Sequence, residues 1–215
     1  MKYHLTLDLE LKRNPYKGKF IVFEGIDGSG KTLQTKKVGD ILAKKRPVFF
    51  AKNPTENPIG VFIAKVLSKQ IKISPQALQT LFAADRQVQQ LEVISHLKKG
   101  DTVVMDRYFW SAVAYGIADA TPADFLLFSQ SVLTMYNQQI LPDHTFYLRV
   151  PFQIGLDRVD KMSRKKSIYE RAEKLRVAQK GYDWLAAEFA KEITIIDGTQ
   201  SKEGVTQSII SKLNY

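Results

Sequence analysis

The chain has 215 residues, 44% hydrophobic and 25% charged, which suits one α/β domain with a substantial core and is short for two full domains. It contains no cysteine, which excludes disulfides and thiolate metal sites, and no apolar run of the roughly eighteen residues that a membrane-spanning helix needs. The formal net charge of +10 favours polyanionic partners, either nucleic acid or small phosphorylated molecules.

Charges interrupt residues 1–19 throughout, so the N-terminal stretch predicts no secretory signal core and a cytoplasmic protein. Leu5, Leu7, Leu9 and Leu11 alternate strictly, which is strand periodicity, and Asn14-Pro15 and Gly18 then break the chain. Residues 1–18 are therefore expected to form an arm that adds an extra strand or pairs with another subunit, with residues 19–215 as a single domain.

Phe20-Ile21-Val22-Phe23 reads as a buried strand, and Leu33 to Lys45 is compatible with a helix. Between them lies Gly25-Ile26-Asp27-Gly28-Ser29-Gly30-Lys31-Thr32, a P-loop. Its glycines let the chain curl so that backbone N–H groups point into one concave nest, and the following helix adds its unpaired N–H groups and positive end. Lys31 is then expected to reach the β- and γ-phosphates of a nucleoside triphosphate, and the Thr32 hydroxyl to hold Mg²⁺.

Further along, Pro47 to Lys52 predicts a second strand and Pro58 to Lys69 a helix. Pro75 to Lys99 predicts a long helix, with Ser74 as N-cap, Pro75 at the first position and Gly100 at the end. Asp101 to Met105 is expected to be a third, buried strand, followed by helices over Ser111 to Ala118 and Pro122 to Gln139. A fourth strand spans His144 to Val150, a helix Pro151 to Val159, and a basic polar stretch Lys161 to Ser167. A long helix over Ile168 to Ala190, a fifth strand over Ile193 to Ile196 and a helix over Ser201 to Leu213 complete the chain. Strands alternating with helices predict a parallel sheet with helices on both faces. The clusters Lys36-Lys37, Lys44-Lys45-Arg46 and Lys98-Lys99 read as cations near helix C-termini, whereas Arg164-Lys165-Lys166 falls in the polar stretch. Asp106 follows a buried apolar strand, where an acid is well placed for Mg²⁺, and Arg107 beside it can fork onto a phosphate. Phe82 and Arg86 lie four apart and so share one helix face, as do Ser111 and Tyr115, although periodicity alone makes Phe82 a core residue and Arg86 an exposed one.

Four segments in order resemble the thymidylate kinase family of P-loop nucleoside monophosphate kinases: Phe-Glu-Gly-Ile-Asp-Gly-Ser-Gly-Lys-Thr (23–32), Leu-Phe-Ala-Ala-Asp-Arg (81–86), Asp-Arg-Tyr-Phe-Trp-Ser (106–111) and Pro-Asp-His-Thr-Phe-Tyr-Leu (142–148). The likeness runs from Lys19 to Leu213, and Pro54-Thr55 and Pro58-Ile59-Gly60 are similar to the archaeal branch. It implies a P-loop NTPase-type α/β fold with a five-stranded parallel sheet and a short lid at about 161–170. It implies phosphorylation of dTMP to dTDP by ATP with Mg²⁺, and commonly a homodimer. In that resemblance Lys31, Asp106 and Arg107 are catalytic, Thr32 and Asp106 hold the metal, and residues 25–32 cradle the ATP phosphates. Phe82 stacks on thymine, Arg86 bonds its O4 edge, Ser111 lies near the pyrimidine, Tyr115 near the sugar, and Asp27 near the acceptor's sugar or phosphate.

Two departures stand out. The family usually carries Arg-Glu-Pro or Arg-Phe-Pro after the second strand, but here Lys52-Asn53-Pro54 keeps the positive charge, loses the bidentate fork and lacks the acid. Ser29 stands where some members place a catalytic arginine, and members without it carry one in the lid. Arg164 is the leading residue for that role and Arg171 the fallback, while Arg158 is similar to the residue that packs on the adenine. The Lys52-Asn53 substitution leaves open another nucleoside monophosphate as acceptor. From other classes, the basic charge admits a nucleic-acid-binding P-loop protein, though no recognition helix, zinc site or aromatic RNA platform is evident, and a non-catalytic nucleotide sensor also stays open.

Overall fold

The computed structural model describes residues 10–117, 125–163 and 166–213. Five strands form one wholly parallel sheet: β2 (Lys19–Glu24), β3 (Val48–Lys52), β4 (Thr102–Asp106), β6 (His144–Arg149) and β7 (Ile193–Asp197), in the order β3-β4-β2-β6-β7. The P-loop strand β2 sits at the centre, between β4 and β6. Its side chains alternate between two cores. Phe20 and Val22 join the larger apolar cluster on one face, and Ile21 and Phe23 join a smaller one on the other.

Helices cover both faces. α1 (Lys31–Ala43) and α8 (Lys202–Ile210) bury Val38, Leu42, Val205 and Ile209 against the smaller cluster. The larger cluster receives α2 (Pro58–Leu67), α3 (Pro75–Lys99), α4 (Phe109–Ile117) and α7 (Ala172–Glu188). α5 (Phe125–Met135) and α6 (Phe152–Asp160) complete the helices among the described residues. Because every crossover returns through a helix, the carboxyl ends of all five strands lie at one edge, and the loops after them converge there.

The local signals for α3 hold to the residue. Ser74 Oγ accepts from Ala77 N at 3.2 Å, Pro75 opens the helix, and Gly100 closes it with φ 94°. Elsewhere the structure differs from the sequence reading. The alternating leucines largely fall on residues outside the described ones. The described part of the arm contributes only β1 (Lys12–Arg13), which pairs with β5 (Ile140–Leu141) in a separate two-stranded sheet. The helix expected up to Gln139 ends at Met135, and a turn leads from it into β5.

The long helix expected from Ile168 begins instead at Ala172. Residues 167–170 form a turn in which Glu170 Oε2 accepts from Ser167 N at 2.6 Å, and Ile168 N donates to Leu67 O at 3.0 Å. A long-range bond to α2 thus outcompetes another helical turn. Lys36-Lys37 lies within α1 rather than near its end, with Lys36 paired to Asp40 at 2.8 Å and Lys37 to Glu203 at 2.7 Å.

Candidate active site

The P-loop leaves β2 at Glu24 and curls back into α1. Gly28 has φ 79°, and a Cβ there would lie 2.1 Å from Gly155 O, so the loop packs directly on the α6 backbone. Gly30, with φ 97°, is the N-cap of α1. Lys31 folds inward and donates through Nζ to Ile26 O at 2.8 Å. Burial, and next the neighbouring Arg107 charge, lower its ammonium to about 8, against the opposing pull of Asp27, Asp106 and Glu24. A phosphate anion entering the loop adds the opposite charge and favours the protonated form.

At the next strand end, Thr32 Oγ1 donates to Asp106 Oδ2 at 2.5 Å. Asp106 Oδ1 is buried and has no hydrogen-bond partner among the described residues. A hydroxyl and an unpaired carboxylate oxygen side by side form the hard-oxygen pair that suits Mg²⁺. No cluster of three His, Cys, Asp or Glu able to hold a metal by itself occurs among the described residues.

Arg107 adopts φ 68°, a strained conformation for a residue with a side chain. Its guanidinium explains why the strain persists. Nη1 donates to Gly25 O at 3.1 Å and Ser111 Oγ at 3.2 Å, and Nη2 donates to Asp27 Oδ1. The ring of Tyr115 lies 5.0 Å from the guanidinium carbon. Tyr115 OH in turn donates to Asp27 Oδ2 at 3.2 Å and accepts from Asp27 N at 3.0 Å. Burial by itself raises the Asp27 carboxyl, but the charges of Arg107 and Lys31 outweigh it and hold the group below its usual value.

Beneath Arg107 lies a residue to which sequence reasoning gave no role. Glu24 is 1% exposed, and its Oε2 accepts from Ser111 Oγ at 2.6 Å and Tyr182 OH at 2.9 Å. Its Oε1 accepts from Tyr108 N at 2.8 Å and Ser111 N at 3.3 Å. Burial pushes this carboxyl above its usual range despite those bonds and the Arg107 charge. An acid ending an otherwise apolar buried strand was the available signal. Tyr182, 158 residues away on α7, carried none.

Beside a hollow of about 780 Å³ lined by Thr32, Lys52, Thr55 and Asp106, two hollows meet at Arg107. The larger of these two, of about 590 Å³, is lined by Asp27, Gly28, Ser29, Gly30, Lys31, Thr32, Asp106 and Arg107, with Arg158 and Gly198 also on its wall. Arg158 Nη1 donates to Gly28 O at 3.2 Å. Gly25 and Ile26, also expected at the phosphates, are not among its lining residues, and Ile26 belongs to the core. Lys52 lies at its rim and pairs with the exposed Glu56 at 2.8 Å. The smaller hollow, of about 220 Å³, is lined by Phe82, Arg86, Ser111 and Tyr115, together with Asp27 and Arg107. The turn at Ser167, Tyr169 and Glu170 also lines it.

Arg86 is 3% exposed, contrary to the helix-face expectation. Its Nη1 donates to Tyr136 OH at 2.9 Å, and its guanidinium carbon lies 5.3 Å from the Phe82 ring. Asp85, not Asn53, supplies the acid behind the Lys52-Asn53-Pro54 segment, whose Asn53–Pro54 bond is cis. Its Oδ2 accepts from Thr55 N at 2.9 Å, and its Oδ1 from Thr55 Oγ1 at 2.5 Å. Arg164 lies outside the described residues. Arg171 is the N-cap of α7 and lines neither hollow.

A sequence model described as thymidylate kinase matches residues 23–209, which is most of the chain and spans both hollows. The chain belongs to the thymidylate kinase family. It is 36% identical over 195 residues to a probable thymidylate kinase of Methanocaldococcus jannaschii, covering 90% of this chain and 95% of that one. It is 31% identical over 206 residues to a probable thymidylate kinase of Pyrococcus horikoshii, covering 93% and 97%. A putative thymidylate kinase of Treponema pallidum is 30% identical over 205 residues, covering 90% and 94%. This family consists of phosphotransferases with a P-loop, and the parallel sheet with helices on both faces agrees with that membership. No helix among the described residues is long and apolar enough to cross a membrane.

Proposed function

We propose that this protein transfers the γ-phosphoryl group of ATP to the phosphate of dTMP, giving dTDP and ADP. One observation carries the reading: Asp27, Asn53 and Arg107 line both hollows. Two ligands bound there share a wall, and the shared residues include a half-buried cation, Arg107, where two phosphates would face each other. The P-loop hollow takes ATP, with Lys31 and the loop N–H groups on its phosphates and Arg158 beside the adenine. The smaller hollow takes dTMP, its base beside Phe82, Arg86 and Ser111 and its sugar beside Tyr115.

The acceptor phosphate, with a second pKa of about 6, is largely dianionic near neutral pH, so no strong general base is needed. Catalysis then comes from position and charge. Arg107 is fixed on both sides, by Asp27 and by the Ser111–Glu24 network, so its guanidinium is set before ligands arrive. Thr32 and Asp106 would hold Mg²⁺, which when bound neutralises charge on the β- and γ-phosphate oxygens. Residues 161–170 act as the lid, and Arg164 within it adds positive charge during transfer. Lys52, at the rim, attracts the acceptor phosphate. The unit at 19–215 works as a single kinase domain, as a homodimer in the cytoplasm.

The test is ADP release from MgATP by purified protein, with dTMP, dUMP, dCMP and purine monophosphates offered separately. Release that requires dTMP supports the reading. Release with another monophosphate alone moves the acceptor, and indifference to every monophosphate sinks it. Steep salt-dependent binding to DNA or RNA without turnover would favour the nucleic-acid class instead.

A further inference from the structure

Gln79 lies on α3, is 2% exposed and lines the smaller hollow. Neither its Nε2 nor its Oε1 finds a hydrogen-bond partner among the described residues. A buried polar group left unpaired costs roughly 1–3 kcal/mol, so native interiors keep few of them. The same hollow gathers two more such atoms, Arg86 Nε and Asn53 Oδ1. Those two side chains are otherwise engaged: Arg86 Nη1 donates to Tyr136 OH at 2.9 Å, and Asn53 Nδ2 to Gln89 Oε1 at 2.8 Å. Gln79 alone among them is open at both ends. It lies three residues before Phe82 and seven before Arg86, so one helix face carries an amide, a ring and a guanidinium.

We infer that Gln79 is a specificity-determining residue that reads the edge of the acceptor's pyrimidine ring, Oε1 accepting from the ring N3–H and Nε2 donating to an adjacent carbonyl. The inference rests on the smaller hollow being the acceptor site. A primary amide and the imide edge of thymine or uracil are complementary, each presenting a donor beside an acceptor. A half-turn of the amide would also suit the N3 and N4 edge of cytosine. Arg86 Nε breaks that tie where it faces ring position 4, because a guanidinium only donates and thymine and uracil carry a carbonyl there while cytosine carries an amino group. A pocket whose polar groups stay unpaired until the matching edge arrives discriminates against ligands lacking it.

The test compares the parent with Gln79→Met, which keeps most of the volume and removes the amide, and with Gln79→Asn, which keeps the amide and withdraws it by one methylene. Steady-state kinetics at saturating MgATP are measured for dTMP and for its N3-methyl analogue, whose ring nitrogen cannot donate. The parent is expected to prefer dTMP by about a hundredfold or more in kcat/KM. Each variant is expected to lose about tenfold of that preference through a raised KM for dTMP, with the KM for ATP within about twofold of the parent. Variants that keep the parent's preference and its KM for dTMP overturn the role of Gln79 and leave the acceptor site standing. A parent that phosphorylates no pyrimidine monophosphate overturns both readings together.

Discussion

Arg107 donates through Nη2 to Asp27 Oδ1, which ties the residue after β4 to the P-loop across the wall shared by the two hollows. The pair converts an arginine in a strained backbone conformation into a fixed cation. Replacing Arg107 with Ala removes the charge and leaves Asp27 held by Tyr115 alone at that end. Turnover is expected to fall by about a hundredfold to a thousandfold, the range for losing one preorganised donor to developing charge. Initial rates at saturating ATP and dTMP check this, and a loss under about tenfold would remove Arg107 from the transfer step.

Lys31 differs from Arg107 in that its nearest partner is a backbone carbonyl, Ile26 O. Lys31→Ala is expected to lower kcat by about three orders of magnitude, because its charge acts on the phosphates that carry the transition-state charge. The KM for dTMP is expected to change far less than kcat. An equal penalty on both nucleotides would count against the assignment.

Phe82→Ala bears on the acceptor alone. Stacking of a base on an aromatic ring contributes about 1–3 kcal/mol, so the KM for dTMP is expected to rise by roughly tenfold or more while the KM for ATP holds. The measurement is a pair of saturation curves, one for each nucleotide. A rise in both would place Phe82 in general stability rather than in the pocket.

Glu24 yields a pH signature. Its folded-state carboxyl is raised above the ordinary glutamate value by burial, so between the unfolded and folded values the native state holds a proton that the unfolded chain has released. Stability therefore falls as pH rises through that window, by at most about 1.4 kcal/mol per pH unit. Glu24→Gln keeps an acceptor for Tyr108 N and Ser111 N and has no charge to desolvate. Denaturant melts should show the variant gaining on the parent as pH rises from acid toward neutral. A difference that stays constant with pH would mean that Glu24 is no more protonated in the folded chain than in the unfolded one.

Local signals were strong enough to read the P-loop, because strand, glycine turn and helix are contiguous from Lys19 to Ala43 and each depends on near neighbours. The ends of α3 were equally legible, since Ser74, Pro75 and Gly100 act through caps within a few residues. The order of strands and helices followed from alternation of periodicities, and with it the sheet edge where Asp106 and Arg107 stand. The packing behind the site was not legible. Arg86 is buried because Tyr136, fifty residues on, offers its hydroxyl, and Glu24 is satisfied by Tyr182, 158 residues on. Residues 168–171 leave the helix because Leu67 supplies a carbonyl from another element. Short-range propensity and capping are written along the chain, whereas a buried polar group's partner is chosen by which distant elements the closed sheet brings within about 3 Å.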